Sequence, residues 1–279
     1  MPVRLIALDI DGTLLDDRSR LPESNRRAVA EAAARGIEIA LVTGRRYDFA
    51  MPIARQFPCP LTMIVNNGAM VKSSAGETQL VRLLPRGVAR RVLDATFEFR
   101  EMPSVCFNRP GENQLIFERI DWDDPLRGPY FHRNREFIAE MSPLHECLTE
   151  DPIQIMFTGS VQQAKTVESL LSGSPFSSEY SLAATIYQNR DFGMVDVIPP
   201  GCSKGSTLAE WVRRRGWSRE DVMAIGDNHN DLEMLHYAGL PVVMGNSVPE
   251  LKSLGWRETL SNGEGGVAAA IEAYALGAM

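Results

Sequence analysis

Two acids one residue apart, Asp9 and Asp11, follow a short apolar run and open the string Asp9-Ile-Asp11-Gly12-Thr13-Leu-Leu-Asp16. Carboxylates at the mouth of a hydrophobic strand are costly unless a cation or a reaction uses them. Gly12 gives the backbone freedom for a sharp turn or a close ligand approach. Three more polar groups stand just beyond apolar runs: Thr43-Gly44-Arg45, Lys204-Gly205, and Gly226-Asp227-Asn228-His229-Asn230-Asp231. Neither acidic loop fits a calcium loop, because Gly12 comes too early and Leu232 stands where glycine is needed. His229 has no His or Cys close by in sequence and reads as a loop residue. Together, Asp9, Asp11 and Asp227 offer hard oxygen ligands suited to Mg²⁺, which favours carboxylates beside phosphate oxygens. Lys204, with the hydroxyl and backbone N–H at Thr43, would hold a phosphate and offset its charge. A shielded phosphoryl group can then be attacked by an anionic carboxylate.

The elements that must position these residues alternate between strand and helix. Buried strands are expected at residues 3–8, 37–42, 61–65, 194–198, 222–225 and 241–244. Helices are expected at 22–35, 47–56, from Lys204 to 215, 232–237 and 265–274, with Gly36 placed to end the first. Ligands of such α/β sheets bind beyond the carboxyl ends of the strands, where all four polar groups fall. The rhythm breaks between residues 84 and 189. A helix at 86–100 is followed by short strands near Val105, Leu115 and Ile153, a helix at 162–171 and a strand at 181–187. That mixture reads as an α+β module inserted into an α/β core formed by residues 1–83 and 190–279.

Composition narrows the partners. In 279 residues, 29 basic against 36 acidic side chains give a net charge of −7, with no compensating basic run. Nucleic acid and anionic membrane surfaces are therefore not expected partners. The four cysteines lack zinc-like or redox spacing. No apolar stretch is long enough to span a bilayer, and no signal-peptide pattern precedes the first strand, so a cytoplasmic location is expected.

The motif set Asp9-x-Asp11-Gly12-Thr13, Thr43-Gly44-Arg45, Asn67-Gly-Ala, Lys204-Gly and Gly226-Asp227-x-x-Asn230-Asp231 resembles the haloacid dehalogenase superfamily. The branch is that of the Cof-type, class IIB-capped phosphatases. The resemblance implies a doubly wound, Rossmann-like parallel core with an inserted α+β cap, and Mg²⁺ as cofactor. It implies Asp9 as the nucleophile that forms an aspartyl-phosphate and Asp11 as general acid/base. Thr43, Gly44 and Lys204 would bind phosphate. Mg²⁺ would be held by the Asp9 carboxylate, the Asp11 backbone carbonyl and Asp227, with Gly12, Asn230 and Asp231 in support. The insertion fits a class II cap, since 31 residues separate Asp11 from Thr43 and 160 separate Thr43 from Lys204. Arg45, Asn67 and Arg190 are candidates to face the leaving group. The pattern departs at Ser247, after Gly245-Asn246, so no substrate role is carried to Asn246.

The expected function is Mg²⁺-dependent hydrolysis of small phosphorylated metabolites, such as sugar phosphates or phosphorylated cofactors, by a monomer or homodimer. The alternatives are a sugar-phosphate phosphatase of narrow specificity, a phosphomutase of the same fold, or a binding protein that has lost catalysis.

Overall fold

A computed structural model describes residues 3–188 and 191–277. They fall into two compact units, one of residues 82–201 and one of the chain on either side. The first flanking segment runs β1 (Leu5–Leu8), α1 (Glu23–Ala34), β2 (Glu38–Val42), α2 (Tyr47–Ala54), β3 (Thr62–Val65), β4 (Met70–Ser73) and β5 (Thr78–Val81). The inserted unit runs α3 (Arg86–Ala95), β6 (Pro103–Cys106), β7 (Leu115–Phe117), α4 (Gly128–Arg133), β8 (Ile138–Glu140), β9 (Gln154–Gly159), α5 (Val161–Ser172), β10 (Ser181–Tyr187) and β11 (Phe192–Ile198). The chain then returns through α6 (Lys204–Arg214), β12 (Val222–Gly226), α7 (Leu232–Tyr237), β13 (Leu240–Val243), α8 (Pro249–Lys252), β14 (Arg257–Glu258) and α9 (Gly266–Ile271).

The flanking segments build one sheet in the order β14-β13-β12-β1-β2-β3-β4-β5. It is parallel from β14 to β3, and β4 and β5 add antiparallel at one edge. β1 lies at the centre with every residue buried, because helices cover both faces of a parallel sheet. On one face Leu5, Ala7, Ala40 and Ala224 pack with Leu208, Trp211 and Met234 of α6 and α7. Residues of opposite parity, Ile6, Leu8, Ile39 and Leu41, are equally buried. The register aligns Leu8 with Ile225 on one side and Leu41 on the other. Consequently β12, β1 and β2 end level, and the residues after them leave the sheet side by side.

The inserted unit has its own sheet, ordered β10-β11-β9-β6-β7-β8. Val105, Ile155, Phe157, Val195 and Val197 pack there with Val88 and Val92 of α3 and Ala164 and Val167 of α5.

Here the sequence expectation needs correction. Residues 194–198 were expected to rejoin the parallel core, with the boundary at 190. Instead β11 begins at Phe192 and pairs antiparallel with β10 and β9, and the return to the first unit falls at Cys202. The link from Tyr187 to Phe192 is short enough for a hairpin, whereas a parallel partner would need a crossover of a dozen residues. The helix expected at 86–100 stops at Ala95, where the Thr96 hydroxyl donates back to the Val92 carbonyl at 2.8 Å. The edge hairpin β4–β5 was not expected at all.

Gly205, near the start of α6, marks where that helix meets α7. A Cβ there would lie 2.4 Å from the Glu233 backbone carbon, which cannot swing away. Gly205→Ala should therefore lower unfolding stability by about 1–3 kcal/mol through overpacking. Gly87→Ala in α3, where an added Cβ meets nothing within 4 Å, should instead raise it by about 0.5–1 kcal/mol. Urea midpoints of the two variants would check this, and a neutral Gly205→Ala would refute the close packing.

Candidate active site

All the polar strand-end residues of the flanking unit converge at the level edge of β12, β1 and β2. Asp9 still belongs to the ladder, its N–H donating to Ile225 O at 3.1 Å. The chain then turns, with Leu15 N–H closing onto Ile10 O at 3.0 Å. Gly12 makes that turn at φ +82°, and the space a Cβ would need is filled by Asp227, whose Oδ2 would be 2.3 Å away. Next door, the Thr13 hydroxyl donates to Asp227 Oδ1 at 3.0 Å. The turn and the aspartate of β12's loop are thus fitted to each other.

Lys204 is the first residue of α6, where a solvated lysine is the ordinary case, yet it is 1% exposed. Its Nζ donates to Asp9 Oδ1 at 2.6 Å and to Asp231 Oδ1 at 2.7 Å. The other oxygen of Asp231 accepts the backbone N–H groups of Asp227 and Asn228, at 3.0 and 3.1 Å. Both oxygens of Asp231 are therefore engaged in holding the lysine and shaping the Asp227 loop. Burial, then the charge of Asp231, raise Asp9 from the usual 3.8 to about 7, against the opposing pull of Lys204. Burial, then Asp9 and Asp231, raise Asp227 well above its ordinary value. Burial alone would lower Lys204, but the charges of Asp231 and Asp9 outweigh it and the net direction is upward.

This donor set fits a hard divalent cation. Carboxylate oxygens of Asp9, Asp227 and Asp231 come within 4.8 Å of one another. The raised proton affinities of Asp9 and Asp227 are those of carboxylates that are buried and, beyond that, crowded by one another's charge. Two of the three expected ligands, Asp9 and Asp227, bring their side chains into that group. The Asp11 carboxylate does not join that group and pairs with Arg45 instead.

Asp11 is engaged by Arg45, whose Nε and Nη2 reach the two carboxylate oxygens at 2.6 Å each. Arg45, expected toward the leaving group, also lies over the Phe49 ring at 4.8 Å. Thr43 is buried, and its hydroxyl oxygen accepts the Arg45 backbone N–H at 3.1 Å, keeping its O–H as a donor, but its backbone N–H, expected at a phosphate, donates within the sheet to Ile64 O at 2.9 Å. Gly44 lies against Asn67, since an added Cβ would sit 3.2 Å from the Asn67 amide. Asn67 is buried and takes a donor from Asn230 Nδ2 at 3.2 Å. Arg190 lies outside the described residues. Sequence reasoning gave no role to Thr13, although its hydroxyl is one residue from Gly12 in the quoted motif. It also gave none to Asn246, Asn262 or Asn25, whose amides reach carbonyls of the turn after Asp9. For Asn25, within α1, and Asn262 only their amide chemistry could have flagged them, whereas Asn246 stands just where the family pattern departs.

The pattern shared by haloacid dehalogenase-like hydrolases matches residues 6–271. The chain belongs to that family. Among curated relatives of this haloacid dehalogenase-like hydrolase, the HMP-PP phosphatase of Serratia proteamaculans (strain 568) is 30% identical, over 90% of this chain and 87% of its own length. The 5-amino-6-(5-phospho-D-ribitylamino)uracil phosphatase YitU of Bacillus subtilis (strain 168) is 26% identical over 97% of each chain. The chain spans about half, 46%, of the Arabidopsis thaliana protein named endoribonuclease YBEY, chloroplastic, at 28% identity over 97% of this chain. A solved haloacid dehalogenase-like hydrolase from Bacteroides thetaiotaomicron is similar at a TM-score of 0.78 and 26% identity, covering 97% of this chain and 99% of that one. This hydrolase family is thus represented by relatives named as phosphatases. Among the described residues, no helix is long and apolar enough to cross a membrane.

The carboxylate cluster sets a pH dependence. Asp9 binds its proton more tightly folded than unfolded, so its contribution to stability is whole below 3.8 and lost as pH rises through about 7. Asp227 acts in the same direction. Without divalent cations, Asp9→Asn should therefore gain stability relative to the unsubstituted chain as pH rises across that window. Added Mg²⁺ should raise the melting temperature of the unsubstituted chain more at about pH 8 than at about pH 5, because protons compete for the same oxygens. Thermal shifts at the two pH values would check this, and an equal Mg²⁺ shift at both would refute it.

Proposed function

We propose that this haloacid dehalogenase-like hydrolase is a Mg²⁺-dependent phosphatase of small phosphorylated metabolites, working through an aspartyl-phosphate on Asp9. The observation that carries the reading is the pairing of Asp9 with buried Lys204 inside a carboxylate group suited to a divalent cation. Lys204 holds one oxygen of Asp9 at 2.6 Å, which fixes the carboxylate and leaves Oδ2 to attack. When bound by the Asp9 carboxylate, the Asp11 carbonyl and Asp227, Mg²⁺ would supply charge neutralisation at the phosphoryl oxygens.

In the first step Asp9 Oδ2 forms a bond to phosphorus while the ester P–O bond breaks. Lys204, the Thr43 O–H and the backbone N–H at Gly44 hold the phosphoryl oxygens. For Asp11 to act as the acid its pair with Arg45 must open, since both its oxygens are taken, and the carboxylate must take up a proton from solvent, which it then gives to the departing oxygen. In the second step Asp11 accepts a proton from water, whose oxygen bonds to phosphorus as the Asp9–phosphorus bond breaks. Asp9 is restored and orthophosphate leaves. Asn230 and Asp231 act indirectly, through Asn67 and through Lys204 with the Asp227 loop. The inserted unit is assigned the choice of leaving group. The relatives' names, phosphatases of HMP-PP and of 5-amino-6-(5-phospho-D-ribitylamino)uracil, support a small phosphorylated metabolite as substrate.

A panel of phosphorylated metabolites ranked by kcat/KM, with and without Mg²⁺, tests the reading. Release of orthophosphate supports it, whereas isomerised ester with little free phosphate would point to a mutase. Asp9→Asn should stay folded and lose turnover by at least about a thousandfold, the scale on which removing a nucleophile acts. Turnover near the unsubstituted level would end the covalent mechanism. Asp11→Asn should slow alkyl esters by about 10²–10⁴-fold, as loss of a general acid does, and aryl esters less in the first step. With aryl phosphate the variant should accumulate phosphoenzyme, seen by rapid quench and intact mass as one added phosphoryl group. Equal losses on both ester types with no phosphoenzyme would remove Asp11 from the acid/base role.

A further inference from the structure

We propose that Asn246 and Asn262 form a charge-free clamp that positions the turn between Asp9 and Leu15, and through it Asp227. The two come from the chain after β13, far from the turn in sequence. Asn246 Nδ2 donates to Gly12 O at 2.8 Å, and its Oδ1 accepts the backbone N–H of Asn262 at 2.8 Å. Asn262 Nδ2 donates to Leu15 O at 2.9 Å and to Asp17 Oδ1 at 3.2 Å. Between these two anchors, Leu14 O takes the amide of buried Asn25 at 3.0 Å. Three carbonyls of one short turn are therefore fixed by asparagine amides from outside it.

The residue type matters as much as the geometry. An amide offers donor and acceptor together without charge. The turn stands beside Asp9, Asp11, Asp227 and Asp231, so an aspartate at 246 would add repulsion and lose the donor to Gly12. The effect reaches the site through a defined route. The peptide after Gly12 is planar, so anchoring Gly12 O fixes the plane that carries Thr13. Thr13 Oγ1 in turn holds Asp227 Oδ1 at 3.0 Å. Asn246 acts through the turn rather than on substrate or reacting atoms and is a positioning residue. It is also exposed, and truncation of an exposed side chain is ordinarily close to neutral for stability. A large effect on rate at this position would therefore report on the turn.

The test uses the full chain with Asn246→Ala, Asn246→Asp, Asn262→Ala and the double alanine variant. Amide hydrogen exchange at residues 12–15 should quicken in all four while the melting temperature of Asn246→Ala changes little. With aryl phosphate, Asn246→Ala should lose about tenfold in kcat with KM within about twofold, and the Mg²⁺ concentration for half-maximal rate should rise. The double variant should lose less than the product of the single losses, because both act through one relay. Asn246→Asp should lose at least as much as Asn246→Ala. The kinetic arm rests on the phosphatase reading and the exchange arm does not. An unsubstituted chain inactive on all esters would defeat that reading alone. Unchanged exchange in the turn, or an unchanged kcat for Asn246→Ala in an otherwise active enzyme, would overturn the clamp.

Discussion

The site depends on the burial of one lysine. Lys204 sits between Asp9 and Asp231 with almost no access to water. Removing one partner from such a buried ionic group typically costs about 3–5 kcal/mol, because a charge is left without its counterion. The lysine opens the helix after the inserted unit, while Asp9 ends the strand before it. The same contact therefore joins the two halves of the flanking unit and fixes the carboxylate proposed as the nucleophile. Three carboxylates share this group with one ammonium. Burial first, and then the surplus of negative charge, raises Asp9 and Asp227, and that surplus is what a divalent cation would balance. Structural demands and those of the proposed reaction meet in one arrangement.

Close packing holds that arrangement in place. Gly12 admits the Asp227 carboxylate where a Cβ would stand, and Gly226 does the same for the side chain of Asp231. Gly68 lets the Ser203 carbonyl approach, and Gly68 O accepts the Thr207 hydroxyl at 2.7 Å. That places the start of α6, and with it Lys204, against the turn after β3. Glycine at these points is required by contact between loops rather than by local turn geometry alone.

Much of this was legible in the sequence because strand interiors and strand ends carry opposite chemical signals. Buried parallel strands such as Leu5–Leu8 must be continuously apolar, and acids at their ends then stand out. What stayed hidden depends on distant partners. The Lys204–Asp9 and Thr13–Asp227 bonds span 195 and 214 residues, and Asn246 reaches Gly12 across 234. Nothing local shows that the Asn246 amide reaches that carbonyl. The boundary at Cys202 was missed for a related reason. A short apolar strand looks the same whether its neighbour runs parallel or antiparallel, and only the hairpin with Ser181–Tyr187 decided where Phe192–Ile198 belongs.

In the proposed reaction the pair between Arg45 and Asp11 would link recognition to chemistry. A guanidinium that grips both oxygens of a carboxylate is equally suited to the oxygens of a phosphate ester. For Asp11 to reach a leaving oxygen, the guanidinium must release at least one of its bonds. A bound phosphoryl group would offer an alternative partner of like charge and like geometry, so little electrostatic stabilisation would be lost in the exchange. Arg45 would then hold Asp11 in check while the site is empty and free it when an ester arrives. A neutral molecule entering the same place would provide no such exchange and would leave Asp11 bound. In the proposed reaction, where Asp11 is the acid/base and Lys204 holds phosphate, the site would thereby favour phosphorylated ligands through both residues.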